Sequence, residues 1–508
     1  MNLDFVGNGD NKMNAPKESY IAAYDLGTGG LKLSLVDTRG KIVQTAFSEY
    51  HLYVPLEGWA EQDPEDYWQA VCHVTKKILL LGAIDARQIV GIIFCTQWKG
   101  IIPVGSDGSV LRRSIIWLDQ RAQKQAEDLN LRMKTQDFLG SDYWAKIMWI
   151  KENEPDIYRN SKVFLEANAY LKYRATGSIT SDLTSHFTCS CQKESQSRLD
   201  EILSAGEISS DKFPPLVLSH EVVGRLTSQS ASETGLAEGT PVLGGCGDIP
   251  AIATGTGSTE IGDAHIYLGS SGWLGITGQV GEFWRGSRKS AYTPDKNIYL
   301  MGLESVGLSV KWLLETLYPH EKEELGDKIY SYLEDELQRV PPGSGNLFAL
   351  PSLYGENKPF SPKMRAAFIN LSSVHQRNHM ARSLLESICY YLRIYKEDYE
   401  AFSGKKLEKI RAAGGGSGNA VWMQMMADVL GIPVEIPIEA SYAGARGSAC
   451  FAALGLGLWQ NLSEYRGCSA LEKVYMPNAC TCEEYDNYYR KYLKIIHKIQ
   501  QIQEFLEE

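Results

Sequence analysis

The chain has 508 residues, 44% of them hydrophobic and 22% charged, which is an ordinary globular composition on a chain too long for one core. Its formal net charge of −11 argues against a nucleic-acid binder, because such proteins need a cationic face, but permits a small anionic ligand. No stretch reaches the ~20 apolar residues that span a bilayer, so no membrane partner is expected.

The first residues and the cysteines indicate the compartment. Residues 1–18 lack the basic and apolar regions of a signal peptide and are expected to form a flexible leader. The ten cysteines form no CxxC pair and have no histidine at zinc-ligand spacing. Scattered thiols of this kind are typical of reduced, mostly buried cysteines, which predicts a cytoplasmic protein.

The first half of the chain opens with a predicted β-meander. From Tyr20, the segments YIAAYDL, LKLSLVDT and KIVQTAF show strand-like alternation, with a glycine turn after the first. In GWAEQDPEDYW, Asp63 is placed to cap a helix that starts at Pro64. IVGIIFC (89–95) has the length and composition of a buried strand. We expect a helix to begin near Asp119, followed by helices alternating with polar loops.

The second half repeats this opening. After the strand and glycine turn of PVLGGCGD (241–248), a second meander begins at Ala264 with AHIYLGSSGWLGITG. The remainder is predicted to be mostly helical, with a strand–turn–helix unit at 409–431 and a long final amphipathic helix. The short apolar repeat of that helix favours packing on the chain's own body over a coiled coil. Two halves that open alike indicate a duplicated α/β architecture with a cleft between them.

The turn DLGTGGLK (Asp25–Lys32) combines conformational freedom with charge. Its glycines can aim successive backbone N–H groups into one concavity, which suits phosphate oxygens. Thr28 adds a hydroxyl donor, Lys32 a cation, and Asp25 a carboxylate able to hold Mg²⁺. An ordinary hairpin with flexible glycines would explain the same pattern. No GxxxxGK[ST] motif occurs, which excludes a P-loop.

Two further glycine clusters carry no charge. Ser270 and Ser271 in LGSSG offer hydroxyls, and two such turns, each opening half of the chain, favour a phosphate site over unrelated hairpins. In GGGSGNAVW (414–422), glycines permit close approach of a flat ligand and Asn419 can hydrogen-bond a sugar or base edge. A tight strand-to-helix turn is the alternative there.

Asp248 follows GGCG at the end of a predicted buried strand and precedes an apolar run. A carboxylate at the mouth of a cleft can accept a proton from a substrate hydroxyl as that hydroxyl attacks a phosphoryl group. The alternative is a helix N-cap, because an aspartate before Ile-Pro suits that position.

Together these motifs resemble the FGGY carbohydrate kinases, the xylulokinase and glycerol kinase family within the actin-like ATPase superfamily, from about Tyr20 to Leu458. DLGTGGLK resembles the first phosphate motif, GWAEQDPEDYW the N-terminal signature and WLDQR the W-x-D-x-R element. GGCGD is similar to the catalytic GGGD element, LGSSG to the LGTSG turn, and GGGSGNAVWMQMMADVLGIPV to the adenosine motif. Six matches in order identify the chain as a member of this family.

The resemblance implies an α/β fold of two ribonuclease H-like domains flanking a central cleft, with a sugar-binding domain at 19–260 and an ATP-binding domain at 261–508. It implies transfer of phosphate from ATP, with Mg²⁺, to a ketose or polyol, above all a pentulose such as xylulose or ribulose. A homodimer is compatible with the family.

The resemblance also assigns residues to roles. It implies Asp248 as the catalytic base, Asp25 as its catalytic partner, and both as metal ligands. The residues implied to bind the nucleotide are Gly27, Thr28, Gly29, Lys32, Ser270, Ser271, Gly307, Gly415 and Asn419. The residues implied to contact the sugar are Gln97, Trp98, Lys99 and Asp248.

Departures from the family pattern concern the substrate. Glycerol kinases carry arginine and glutamate after the glutamine that is Gln97 here, and the Trp98 and Lys99 of this chain disfavour glycerol. Xylulokinases usually read QMHG and GDN where this chain has QWKG and GDI, and Ile249 cannot make an amide's hydrogen bonds. Leu118 stands where many members have asparagine. Lys99 is expected either to contact an acidic or hydroxyl-rich substrate or to lie on the surface.

Two other functions stay open on the sequence. The altered QWKG and GDI segments would also fit a catalytically degenerate sugar-binding sensor. The superfamily resemblance would also fit an actin-like ATPase with a structural role.

Overall fold

The structure, a computed structural model, describes residues 18–505 except 83, 136, 187–191, 283, 285–286, 354, 356–363, 463 and 465–469. The leader expected at 1–18 lies outside the described residues apart from Glu18. The seven cysteines that the structure describes are free thiols, and five of them are buried. Within the same residues, no helix is both long enough and apolar enough to cross a membrane.

The first half of the chain builds one mixed sheet, smaller strand pairs and the helices that cover them. Its strands are β1 (Tyr20–Leu26), β2 (Gly30–Asp37), β3 (Ile42–Glu49), β4 (Glu61–Gln62), β5 (Ile89–Thr96), β6 (Ile102–Gly105), β7 (Ser114–Ile115), β8 (Ser161–Leu165), β9 (Ser181–Asp182), β10 (Leu216–Val217), β11 (Val222–Arg225), β12 (Pro241–Leu243) and β13 (Cys246–Gly247). Its helices are α1 (Pro64–Gly82), α2 (Gln123–Met133), α3 (Tyr143–Asn153), α4 (Pro155–Asn160), α5 (Ala167–Thr176), α6 (Gln192–Ala205), α7 (Ser228–Thr234) and α8 (Asp248–Gly255).

The second half builds a second mixed sheet. Its strands are β14 (Ala264–Leu268), β15 (Gly272–Gln279), β16 (Arg288–Thr293), β17 (Lys296–Leu303), β18 (Phe348–Leu350), β19 (Ala367–Ile369), β20 (Ile410–Ala413), β21 (Val434–Pro437) and β22 (Leu471–Tyr475). Its helices are α9 (Gly307–Leu317), α10 (Pro319–Leu325), α11 (Ile329–Gln338), α12 (Arg377–Ser403), α13 (Ala420–Leu430), α14 (Ala443–Gly455) and α15 (Ala479–Phe505).

The two sheets share one topology. The first runs β11–β12–β5–β1–β2–β3, and the second runs β16–β17–β15–β14–β20–β21–β22. In each, the first strand is antiparallel to the second and parallel to a later strand, β5 or β20. Carboxyl ends of parallel strands meet at one edge of a sheet, so this topology brings the ends of β1, β5 and β13 together.

Both predicted meanders and the capped helix α1 are present, with Asp63 Oδ1 accepting a hydrogen bond of 3.0 Å from the Glu65 amide. The helix expected near Asp119 begins only at Gln123. The Asp119 carboxylate instead accepts hydrogen bonds from the Ala60 amide (2.6 Å) and the Arg121 guanidinium (2.7 Å), so tertiary contacts hold this segment as a turn.

The end of the chain is less helical than expected, because β21 and β22 extend the second sheet. The final helix lies on the chain's own body, as its short apolar repeat favoured. Tyr485 and Tyr492 of α15 are fully buried, and the Tyr492 ring lies 4.9 Å from that of Tyr390 on α12.

Helices α8 and α14 join the two halves through glycines. A Cβ atom at Gly447 of α14 would lie 1.7 Å from the Ala251 carbonyl oxygen of α8, and one at Gly255 would lie 1.9 Å from the Ala443 oxygen. Side chains at these positions would force the helices apart, so the glycines permit backbone-to-backbone contact. At Gly444 a Cβ would lie 2.9 Å from Asp25 Oδ2, which places the start of α14 against the end of β1.

Candidate active site

A cavity of about 1050 Å³ opens between the two halves, and the strand ends and glycine turns of both sheets line it. The predicted site residues that line this cavity are Asp25, Gly27, Thr28, Gly29, Lys32, Gln97, Trp98, Lys99, Asp248, Ser270 and Ser271. Gly307, Gly415 and Asn419 are outside its lining. Residues more than 240 positions apart in sequence therefore converge on one space, as a duplicated fold with a cleft requires.

Two carboxylates, Asp25 at the end of β1 and Asp248 at the start of α8, face this cavity. Burial raises the pKa of Asp248 to about 7, and the nearby charge of Asp25 adds to the shift. Burial also raises the pKa of Asp25, while Lys32 opposes that change. The N-cap of α8 is Gly247 rather than Asp248, and the Asp248 carboxylate lines the cavity from the first turn of this helix, where the backbone amides of Ile249 and of Asp248 itself lower its pKa against the effect of burial.

The GGCGD turn that carries Asp248 is tightly constrained. A Cβ at Gly244 would lie 2.1 Å from the Leu218 oxygen, and one at Gly247 would lie 1.9 Å from Trp98 Nε1. The fully buried Lys172 donates a hydrogen bond of 2.7 Å to the Gly244 oxygen. The Asp248 carboxylate is therefore held by a turn with little freedom to move.

Side chains of the first half surround the first turn. Thr28 Oγ1 accepts a hydrogen bond of 2.9 Å from Trp117 Nε1 and donates one of 3.4 Å to Gln97 Oε1. The Gln62 amide donates to the Thr28 carbonyl at 2.7 Å. Lys32 reaches the other half, where its Nζ lies 3.4 Å from the Ser441 oxygen. These hydrogen bonds hold the turn in place, and the ammonium group of Lys32 lies where the two halves meet.

The second turn is held by backbone contacts instead. The Gly307 amide donates to the Gly269 oxygen at 2.7 Å, and the Val306 amide donates to the Ser270 oxygen at 3.0 Å. A Cβ at Gly307 would lie 2.5 Å from the Gly269 oxygen, so Gly307 supports this turn from behind. The hydroxyls of Ser270 and Ser271 make no hydrogen bond to the part of the chain that is described, and both residues line the cavity.

The third glycine cluster lies beside the second turn. Gly414 has a φ of +91°, and a Cβ there would lie 2.6 Å from the Leu268 oxygen. A Cβ at Gly415 would meet nothing within 4 Å, so the surface above it is open. Asn419 Oδ1 accepts a hydrogen bond of 2.8 Å from the Trp422 amide and caps α13. The oxygen of Asn419 therefore has a structural role in this conformation, and contact of these residues with adenosine stays a prediction.

The predicted sugar-contacting residues lie at the ends of strands in the first half. Lys99 has a φ of +63°, and its Nζ lies 2.8 Å from Asp142 Oδ1. Its side chain is only 12% exposed, so the surface alternative for Lys99 is wrong. The fully buried Lys146 donates hydrogen bonds to the carbonyls of Lys99 (2.9 Å) and Ile116 (2.7 Å), and burial lowers its pKa to about 7. Lys146 thereby fixes the strained QWKG segment.

Sequence reasoning missed several residues that line the same cavity. They are Trp117, Asp142, Ser185, Tyr267, Arg288 and Glu304. Trp117 begins the WLDQR element, but Asp142, Ser185, Arg288 and Glu304 belong to none of the sequence motifs and reach the cavity only through tertiary folding. Tyr267 could have been found, because it directly precedes the LGSSG turn on a strand that ends at the cleft.

Among the carboxylates that line this cavity, Asp25 and Asp248 lie close enough for the charge of one to act on the other, so this pair could hold a hard divalent cation. Their carboxylate oxygens suit such an ion, and a cation between them would relieve the repulsion that raises the pKa of Asp248. No group of three or more His, Cys, Asp or Glu side chains that could hold a metal occurs within the described ranges. A cation here would therefore share its coordination with water and phosphate oxygens.

A cleft between two like-folded halves, with a glycine turn from each and a carboxylate pair among its lining residues, is the arrangement expected of a nucleotide-dependent phosphotransferase. The model of the FGGY family of carbohydrate kinases, N-terminal domain, matches residues 20–255, and that of the C-terminal domain matches residues 264–456. The chain belongs to the FGGY family of carbohydrate kinases and is an ATP-dependent sugar kinase, which confirms the family, the fold class and the enzyme class predicted from the sequence.

Relatives support the same family. The chain is 30% identical over 472 residues to a xylulose kinase of Bacillus subtilis (strain 168), covering 88% of this chain and 90% of that protein. It is 26% identical to an L-xylulose/3-keto-L-gulonate kinase of Escherichia coli (strain K12), covering 95% and 97%. The solved structure of a xylulose kinase from Lactobacillus acidophilus matches the fold with a TM-score of 0.82, at 23% identity, over 95% of this chain and 98% of that chain.

Proposed function

We propose that this kinase transfers the γ-phosphate of ATP to a hydroxyl of a pentulose such as xylulose or ribulose, with Asp248 as the catalytic base. The observation that carries the proposal is the position of Asp248, whose carboxylate faces the cavity between the two glycine turns with a pKa of about 7. A base with a near-neutral pKa is suited to accept the proton of a sugar hydroxyl. The name of the relative in Bacillus subtilis supports a pentulose as the acceptor.

In the proposed step, the sugar oxygen displaces ADP from the γ-phosphorus of ATP. The sugar hydroxyl gives its proton to the Asp248 carboxylate, and its oxygen forms a bond to the γ-phosphorus. The bond between that phosphorus and the bridging oxygen breaks, so ADP leaves with the electron pair. The backbone and hydroxyl donors of the two turns hold the phosphates in line with the acceptor.

We assign Mg²⁺ to the carboxylates of Asp25 and Asp248. When bound, such a cation neutralises charge on the phosphates. Lys32 favours cation binding at Asp25, because its positive charge opposes the rise in the pKa of Asp25 caused by burial and so favours the ionised carboxylate. Gly444 allows the start of α14 to lie against Asp25 without a side chain between them.

The sugar end of the cavity suits a hydroxyl-rich substrate, and Lys99 is not the group that would bind a substrate carboxylate there. The ammonium group of Lys99 already pairs with Asp142 at 2.8 Å, so it is not a free cation for a carboxylate. Gln97 has its amide directed to Gln62 Oε1 at 2.8 Å, and the Trp98 indole covers Gly247. These contacts leave carbonyl, carboxylate and indole surfaces that suit sugar hydroxyls and apolar sugar faces.

A substrate panel tests the proposal. The purified chain is incubated with ATP and Mg²⁺ against D-xylulose, D-ribulose, L-xylulose, pentitols and gluconate, and ADP release is measured above the no-sugar background. We expect a pentulose to give the highest kcat/KM. Turnover of gluconate alone would refute the pentulose assignment while leaving the kinase intact.

Two further measurements, read beside ADP release, distinguish the alternative functions. Saturable sugar binding in calorimetry without ADP release from any sugar would indicate the degenerate sensor. ATP-dependent sedimentation of filaments would indicate a structural role. The homodimer and the cytoplasmic location stay predictions, and light scattering at micromolar concentration would test the first.

A further inference from the structure

Tyr267 is the last residue but one of β14 and stands directly before the second glycine turn. Its ring lies 4.3 Å from that of Trp273, its partner across the β14–β15 pair, at an angle of 32°. The side chain is half-buried and lines the cavity. This packing fixes the ring, so the position of its hydroxyl is set by the fold.

Glycines on both sides make room for this ring. A Cβ at Gly269 would lie 2.5 Å from the Tyr267 hydroxyl oxygen and 2.4 Å from a ring carbon, and one at Gly414 would lie 3.0 Å from the opposite ring edge. Real Cβ atoms do not approach so closely, so any side chain at Gly269 would displace the phenol. The first glycine of LGSSG and the first of GGGSG therefore form a slot that holds Tyr267 against the second turn.

Tyr267 lines the same cavity as the carboxylates of Asp25 and Asp248 in the other half. Burial raises the pKa of the Tyr267 hydroxyl above its ordinary value, and the charges of Asp25 and Asp248 add to the shift. A tyrosine hydroxyl is protonated at neutral pH and can act as a hydrogen-bond donor. No described residue forms a hydrogen bond with this hydroxyl.

We propose that the Tyr267 hydroxyl donates a hydrogen bond to the terminal phosphoryl group of ATP during transfer, as a further catalytic residue of this kinase. The space between the second turn and the carboxylate pair is where that group must lie if Asp248 is the base, so the inference rests on the proposed function. A neutral donor stabilises phosphoryl oxygens there without adding an anion beside Asp25 and Asp248. The donor comes from the second half, whereas both carboxylates come from the first.

The test is Tyr267→Phe, which keeps the ring on Trp273 and removes only the hydroxyl. We expect kcat to fall about 10- to 100-fold and the KM for the sugar to stay within about twofold. In calorimetry with Mg²⁺, we expect the β,γ-imido analogue of ATP to bind about 5- to 10-fold more weakly and ADP to bind as to the wild type. ADP lacks the γ-phosphoryl group, so the difference between the two nucleotides measures the proposed contact with Tyr267.

Tyr489→Phe is the matched control, because its hydroxyl bonds to Glu397 Oε2 at 2.8 Å between α15 and α12. It should match the wild type in every measurement. Unchanged kcat in Tyr267→Phe, or equal weakening of ADP and the ATP analogue, would overturn the inference. Neither measurement depends on the acceptor being a pentulose. Calorimetry with nucleotides needs no sugar, and the kinetic assay uses whichever sugar gives ADP release.

Discussion

The two glycine turns occupy equivalent places in the two sheets but differ in chemistry. The first joins β1 to β2 and brings Asp25 opposite Lys32 in the strand register. The second joins β14 to β15 and pairs Leu268 with Gly272, with serines between and no charge. Side chains of its own half hold the first turn, whereas backbone amides at the start of α9 hold the second.

This difference indicates that the two duplicated halves contribute different chemical groups to the cavity. The first turn and the strand ends of its half present the carboxylates that we propose as base and cation ligands, and the Thr28 hydroxyl is already bonded to Gln97. The second turn presents neutral donors open to the cavity, Ser270 and Ser271. A fold repeated twice can thus place acid–base chemistry on one wall and phosphate binding on the other.

The largest effect is expected from Asp248→Asn, which removes the base and keeps the shape. We expect kcat to fall about 10²- to 10⁴-fold, with the Kd for ADP within about twofold of the wild type. Steady-state ADP release and calorimetry measure the two quantities. An Asn variant with more than about a tenth of wild-type kcat would contradict the role of Asp248.

The same variant should be more stable to heat. The folded pKa of about 7 lies well above the ordinary pKa of an aspartate in an unfolded chain, so the folded state binds the proton more tightly than the unfolded chain. Ionisation of Asp248 therefore destabilises the fold, and stability from this group is lost as pH rises through about 7. We expect the Tm of Asp248→Asn to exceed that of the wild type at pH 8 and to approach it at pH 4.

Asp25→Asn should have the next largest effect. It removes the charge opposite Lys32 and replaces one of the two carboxylates assigned to Mg²⁺ by a neutral, weaker oxygen ligand. We expect kcat to fall about 10- to 100-fold, and the Mg²⁺ concentration for half-maximal activity to rise. Titration of activity with Mg²⁺ at fixed ATP measures both. Loss of activity without any change in Mg²⁺ dependence would remove Asp25 from the metal site.

The pH profile of kcat/KM tests the coupling of the two carboxylates. Asp248 must be ionised to accept a proton, and kcat/KM reports the free enzyme, so at limiting free Mg²⁺ it should fall about tenfold per pH unit below pH 7 and level off above it. The charge of Asp25 contributes to the raised pKa of Asp248, after burial. In Asp25→Asn the acid limb should therefore move to lower pH. A limb that stays in place would show that burial alone sets this pKa.

Local sequence patterns predicted the parts of the fold that depend on local physics. Strand alternation and glycine turns gave both meanders, and Asp63 with Pro64 gave the start of α1. The start of α2 was misplaced, because the Asp119 carboxylate is bound by Ala60 and Arg121 rather than capping a helix. Strands as short as β21 and β22 carry too few residues for their periodicity to stand out.

Site residues that belong to a recognisable motif could be predicted from the sequence, whereas site residues outside any motif could not. Asp248 and both turns lay in recognisable segments, and the cavity brings them together. Asp142 and Lys146 belong to no motif, and their contacts with Lys99 arise only when α3 packs beneath the QWKG segment. Long-range packing of this kind leaves no local signature, so the ion pair that holds Lys99 could not be read from the sequence.

The smallest effects should come from Ser270→Ala and Ser271→Ala in the second turn. Their hydroxyls are uncharged, and backbone amides of Val306 and Gly307 already hold this turn. We expect each variant to raise the KM for ATP about 2- to 10-fold and to change kcat by less than about threefold, because one neutral hydrogen bond contributes about 0.5–1.5 kcal/mol. Steady-state kinetics at saturating sugar measure both. A loss of kcat as large as that of Asp25→Asn would mean that the second turn also stabilises charge in the transition state, and the division between the two halves would not hold.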